Sequence, residues 1–154
     1  MAIPDRKPGA LPRIVSFFAV ILLAAVTAAS AEAPVSIDLG VAVASNDGTQ
    51  IDPQLSDLRT KLKAMFDYTS YRMVDRRKRT LAVGETGEFA LPGGRSMRVT
   101  PAPSSGNKVR LAVQIMEGQR NLLTTTLGLS RGGMVLVGGP AYQKGVLILI
   151  ISAE

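Results

Sequence analysis

At 154 residues, with 18 lysines and arginines against 12 aspartates and glutamates, the chain carries a net charge of +6 and contains neither histidine nor cysteine. Without histidine there is no imidazole to serve as general base, metal ligand or switch near neutral pH. Without cysteine there is no disulfide, no zinc thiolate and no lipid-bearing cysteine behind a leader. No cofactor and no metal are expected, and the positive charge is too mild and scattered to imply nucleic acid.

Arg6, Lys7 and Arg13 open the chain, Ile14 to Ala29 follow without a charge, and Ala29-Ser30-Ala31 closes the run with small residues. Basic, apolar and small segments in that order predict a secretory signal peptide over residues 1–31, cleaved after Ala31. The apolar run falls short of the roughly 20 residues of a spanning helix. Left uncleaved, it would persist as a short anchor with the rest of the chain outside. The expected location is exported, periplasmic or extracellular, in a bacterium. Removing Asp5 along with the three cations leaves 15 basic and 11 acidic side chains, a net charge of about +4 on a 123-residue remainder. That length suits one domain, residues 32–154, with a core of its own.

Val35, Ile37, Leu39, Val41 and Val43 alternate with small or polar residues, the period of a half-buried strand, and Asn46-Asp47-Gly48 ends it. Asp52-Pro53 reads as N-cap and first position of a helix. Leu55, Leu58, Leu62, Met65 and Phe66 share one helical face, and the helix is expected to end near Asp67. The β-formers of Tyr68 to Val74 then predict a strand.

Glu88 to Leu91 and Met97 to Thr100 flank the turn Pro92-Gly93-Gly94, and residues 101–107 read as a loop. Val109, Leu111, Val113 and Ile115 give the cleanest alternation in the chain. After the turn at Glu117-Gly118-Gln119, Leu123, Thr125, Leu127 and Leu129 continue it with an inward set. Arg131-Gly132-Gly133 predicts another turn, Met134 to Val137 a strand, and Gly138 to Gly145 a loop. Val146 to Ile151 is apolar on both faces, as in a central strand or one whose second face lies under a helix. The sum is an α+β domain, mainly an antiparallel β meander or sandwich, with one packed amphipathic helix.

Arg76, Arg77, Lys78 and Arg79 are consecutive cations. They suit contact with lipid headgroups, cell-wall carboxylates or an acidic protein partner, and equally a solvated turn or a charged edge strand that resists aggregation. No aromatics interleave them, which argues against nucleic acid. Tyr142 and Lys144 are the candidate contacts of the 138–145 loop. Ser105 and Lys108 have the spacing of a serine–lysine pair but sit in a turn without companion motifs. Glu85 and Glu88, flanked by Gly84 and Gly87, read as turn chemistry, and Asp47, Asp52 and Asp57 do not space as a calcium loop. Phe66, Tyr68 and Tyr71 read as the seam between helix and sheet, with a hydrophobic groove as the alternative.

From Thr124 to Ala153 (TTTLGLSRGGMVLVGGPAYQKGVLILIISA), a threonine-bearing strand leads through Gly132-Gly133 into a V-x-V-G-G strand and an apolar closing strand. This stretch resembles the β-domain hairpin of bacterial secretins, the outer-membrane channels of secretion systems and pili. Pro140 stands where those proteins continue with an apolar residue, and their following proline-rich segment is missing. The resemblance implies a shared hairpin arrangement, or an accessory role near an envelope machine, and transfers no functional residue.

The functional expectation is a non-catalytic exported envelope protein, an interaction or assembly component. Its partner would be an envelope protein or an anionic envelope surface, with membrane contact possible but no transmembrane segment in the mature part. The alternative is a small-ligand or lipid-binding domain in which Leu111, Val113, Ile115, Leu123 and Leu127 line a cavity beneath the helix. An enzyme using carboxylates or a Ser-Lys pair stands third.

Overall fold

A computed structural model describes residues 31–154 and, apart from these, Gly9. The expected signal peptide lies outside the described residues. Eight strands and one short helical segment follow in order: β1 (Val35–Ser45), a 3-10 turn (Pro53–Leu58), α1 (Arg59–Met65), β2 (Ser70–Leu81), β3 (Gly87–Leu91), β4 (Arg95–Ala102), β5 (Lys108–Glu117), β6 (Arg120–Ser130), β7 (Gly133–Tyr142) and β8 (Gly145–Ala153). They form two antiparallel four-stranded sheets, β2-β1-β8-β7 and β3-β4-β5-β6. The second sheet is the meander that the sequence suggests. The first places β1 and β8, far apart in the chain, side by side at its centre.

Alternation decides what each strand buries. Ile37, Leu39, Val41 and Val43 of β1 and Leu147, Leu149 and Ile151 of β8 meet Met97, Val99, Leu111, Val113 and Ile115 of the second sheet in one core cluster. This is the packing of a β-sandwich. A second cluster lies on the other face of the first sheet, where Ala42, Ala44, Ile148, Ile150 and Leu136 pack against Leu55 and Leu62 of the helical segment. Small residues on β1 admit the helix there. β8 is therefore covered on both faces, which accounts for its unbroken apolar run.

The helix starts as expected, with Asp52 Oδ1 accepting from the Gln54 amide at 2.9 Å and Pro53 at the first position. It is shorter and less regular than the periodicity suggests. Pro53–Leu58 is a 3-10 turn and α1 has only seven residues. Phe66 is already extended, and its ring lies 3.3 Å from where a Cβ of Gly138 would stand. Met65, placed by the sequence on the packed face, is 57% exposed.

Tyr71 holds the end of this helix. Its hydroxyl lies 2.5 Å from the Phe66 carbonyl oxygen and 3.2 Å from that of Leu62. The Leu62 carbonyl also accepts from the Phe66 amide at 2.8 Å and the Phe66 carbonyl from the Tyr68 amide at 3.0 Å, so the hydroxyl reinforces a helix end whose carbonyls already have backbone donors. Burial pushes the Tyr71 phenol above its ordinary pKa, so it remains a donor across the neutral range. Tyr71→Phe, which strips this donor from the helix end without changing side-chain shape, is expected to cost about 0.5–1.5 kcal/mol in denaturant unfolding.

Two further expectations are corrected. Residues 138–145 are not a loop, because β7 runs on to Tyr142 through a register shift between Gly138 and Ala141 that accommodates Pro140. Residues 101 and 102 belong to β4 rather than to the loop. Pro101 is tolerated because it lies past the β3 pairing, which begins at Gly87 opposite Val99, so no ladder donor is needed there, and its carbonyl accepts from the Gly84 amide at 2.8 Å.

Candidate functional site

The four consecutive cations lie in β2, an edge strand of the first sheet, and the strand divides them. Arg77 and Arg79 stand opposite Leu39 and Ile37 and so face the sandwich side, whereas Arg76 and Lys78 stand opposite Gly40 and Asp38 on the outer side. Each finds its own neighbour. Arg76 pairs with Asp38 at 2.8 Å, Arg77 with Asp75 at 2.8 Å and Lys78 with Glu154 at 3.8 Å, while the Arg79 guanidinium sits 5.7 Å over the Phe89 ring. Hydrogen bonding to Asp38 raises the Arg76 pKa. The run is thus a charged edge on two faces and not one contiguous patch.

The other two sequence candidates separate. Lys144 lies at the rim of a cleft of about 640 Å³ at one end of the first sheet, floored by Val43, Ile51 and Tyr71 and edged by Asp47, Arg72 and Gln143. It pairs with Asp47 at 3.5 Å across the mouth. Its neighbour Gln143, at the tip of the β7–β8 turn, holds a φ of 51°, a left-handed conformation that few non-glycine residues adopt. Tyr142 is half-buried against the core, its ring 3.4 Å from where a Gly93 Cβ would stand. Beside it, Arg95 donates to the Ala141 carbonyl at 2.8 Å and pairs with Glu117 at 3.1 Å. Tyr142 therefore joins the two sheets, where the sequence suggested an exposed contact.

The remaining motifs are drawn into turns and ladders. Ser104, not Ser105, donates to the Lys108 carbonyl at 2.7 Å, and no hydrogen bond joins Ser105 to Lys108 among the described residues. Glu85 accepts from the Ala82 amide at 2.9 Å, while Glu88 reaches across to Arg98 at 3.1 Å. Glu117 is held below the usual carboxylate range, first by its hydrogen bond to Arg120 and further by Arg95. The expected lipid cavity does not form as drawn. Leu111, Val113 and Ile115 face the first sheet, and the helix lies on that sheet's far side.

Sequence reasoning offered a charged edge strand at Arg76 to Arg79 but did not place the other sheet edges. Long bare edges invite strand addition, and three of the four here carry a guard. β2 has its charges, β3 is only five residues long, and β7 is broken by its bulge at Pro140. β6 has neither charge nor proline from Asn121 to Ser130, and its register shift near Leu122 lies at one end. Beside it Leu122, Leu123, Leu127, Val135 and Val137 are only partly buried, an apolar seam where the sandwich opens between β6 and β7. The signal was present in the sequence as ten uncharged residues, but nothing there marks a strand as an edge.

No protein family's sequence profile matches the chain, and no curated protein matches it. Among solved structures the chain is similar to the type II secretion system secretin XcpQ from Pseudomonas aeruginosa, at 11% identity and a TM-score of 0.35. The match covers 78% of this chain and 55% of the secretin chain, so the protein spans about half the length of the structure it matches. A likeness this weak assigns neither a family nor a role to the chain.

Proposed function

We propose that this is a non-catalytic exported protein of the bacterial cell envelope, one domain over residues 32–154 that acts as an interaction or assembly component through its open sheet edges. The contrast between the edges carries this reading: β2 is charged along its length, whereas among the described residues no strand pairs with the outer side of β6, which lies beside an apolar seam. Strand addition at such an edge gives affinity through main-chain hydrogen bonds and specificity through alternate side chains. The cations of β2 supply attraction toward an anionic envelope surface, screened by salt. Lys144 and Arg72 add to it at the adjoining cleft.

Affinity capture of the tagged protein from crosslinked envelope fractions, read for proteins and lipids together, tests the reading. A reproducible protein partner is the expected result, and lipid without protein removes it. Replacing Arg76, Arg77, Lys78 and Arg79 together by alanine is expected to lower envelope association severalfold at low ionic strength, with the difference fading at high salt. Association unchanged at low salt removes the basic strand from the reading. The folding cost of losing any one of these exposed ion pairs should stay within about 1 kcal/mol.

A second reading has one observation in its favour, the 640 Å³ cleft itself, lined by Asp47, Arg72 and Lys144. A concave site with a few convergent charged groups suits a small polar ligand. Copurification of such a ligand, lost in Lys144→Ala, would favour this reading over edge docking.

A further inference from the structure

The docking edge proposed above leaves its occupant unnamed, and the composition of the edges identifies one. A strand that pairs antiparallel with a second copy of itself meets its own sequence reversed, so any net charge it carries is repelled. β2 has five cations, Arg72 and Arg76 to Arg79, against Asp75 alone, and so disfavours its own copy. β6 carries no charge between its ends.

We infer that β6 docks a second copy of this chain, the two strands pairing antiparallel about a two-fold axis through Thr125. The inference rests on the edge-docking reading and adds the partner. In this register Leu123 of one copy faces Leu127 of the other, Thr124 faces Thr126, and Thr125 faces itself, each unlike pair occurring twice by symmetry. The faces agree. Leu123, Thr125 and Leu127 stand opposite Ile115, Val113 and Leu111 of β5 and point into the sandwich, whereas Thr124 and Thr126 stand opposite Gln114 and Ala112 on the solvent side. The second sheet thereby continues through both molecules. The half-buried seam of Leu122, Leu127, Val135 and Val137 lies at the same joint, where it meets its own counterpart in an isologous contact. A shared apolar joint of this kind is what homodimer interfaces bury at their centre.

The test uses the full chain, expressed with its N-terminal segment and purified after export, in sedimentation equilibrium over a wide range of concentration. The expected wild type is a dimer. T124K/T126K places lysine opposite lysine twice and should weaken the dimer roughly tenfold or more. T124K/T126E places lysine opposite glutamate twice and should remain dimeric. Thr124 and Thr126 are both solvent-exposed, so circular dichroism should be unchanged in both variants, and T124K/T126K should lose in thermal unfolding only the concentration-dependent stabilisation that the dimer supplies. A monomeric wild type, or a T124K/T126K chain as dimeric as wild type, overturns the inference, and a monomeric T124K/T126E overturns the register through Thr125. Envelope capture separates this from the broader reading. A monomeric wild type whose protein partner is lost in T124K/T126K overturns the second copy as occupant while edge docking stands.

Discussion

Gly145→Ala should destabilise the domain by about 3 kcal/mol or more, a very large effect for one methyl group. Gly145 opens β8 opposite Ser45 of β1 and Tyr142 of β7. A Cβ at this position would overlap the Ala44 carbonyl oxygen outright and stand 2.9 Å from the Ala44 carbonyl carbon. The obstacle is backbone, so no rotamer change relieves it. Ala44 is itself buried and paired on both sides, to Tyr71 of β2 and Val146 of β8. Relief would have to prise apart the central pair of the first sheet at the end where the cleft forms. Gly128→Ala is the matched control. Gly128 also lies in a strand, but a Cβ there meets nothing within 4 Å and its φ is not left-handed. Since glycine weakens a strand interior, that substitution should be neutral or stabilising by up to about 1 kcal/mol. Urea midpoints of the two variants decide the matter, and equal midpoints would mean that β1 and β8 do not approach as described.

Leu149→Ala is expected to cost about 3–5 kcal/mol. Leu149 is 0% exposed, on a central strand, with Val41 opposite on one side and Val137 on the other. Its side chain enters the cluster that both sheets share. Truncation loses the transfer free energy of the removed carbons and leaves a cavity that neighbouring strands, fixed by their ladders, cannot close. Leu127→Ala, measured in the T124K/T126K background so that no partner strand covers the seam beside β6, should cost less than half as much, because water can fill the space. Unfolding in urea with unchanged m-values checks both. A loss below about 1 kcal/mol at Leu149 would contradict a close-packed sandwich core.

These two residues show how differently the sequence speaks. Leu149 was legible as core, because an uncharged Val/Leu/Ile run has nowhere to go but inside. Gly145 reads as an ordinary turn glycine, because its constraint comes from Ala44, a hundred residues away in the chain. The same division holds at the candidate sites. Arg76 to Arg79 are conspicuous as letters, but a strand turns successive side chains to opposite faces, and Asp38, Asp75, Glu154 and Phe89 meet them there one by one. Tyr142 read as exposed because Gly138, Gly139 and Pro140 signal a loop. The pairing of β7 with β8 overrides that local signal and carries Tyr142 onto the core.

Local and periodic features were legible from the residues alone: the alternation of β1, β5, β6 and β8, the Asp52-Pro53 helix start, most of the turns, and the lack of any histidine or cysteine. Each depends on residues within a few positions of one another, where propensity and hydrophobic period act directly. Folding in three dimensions settled the rest: β1 and β8 pair at the centre of one sheet, the helix covers that sheet's outer face, and β2, β3, β6 and β7 are left as edges. Those outcomes depend on which strands find each other across the chain. An edge differs from a central strand by what is missing beside it, and a strand's own residues do not record its neighbours.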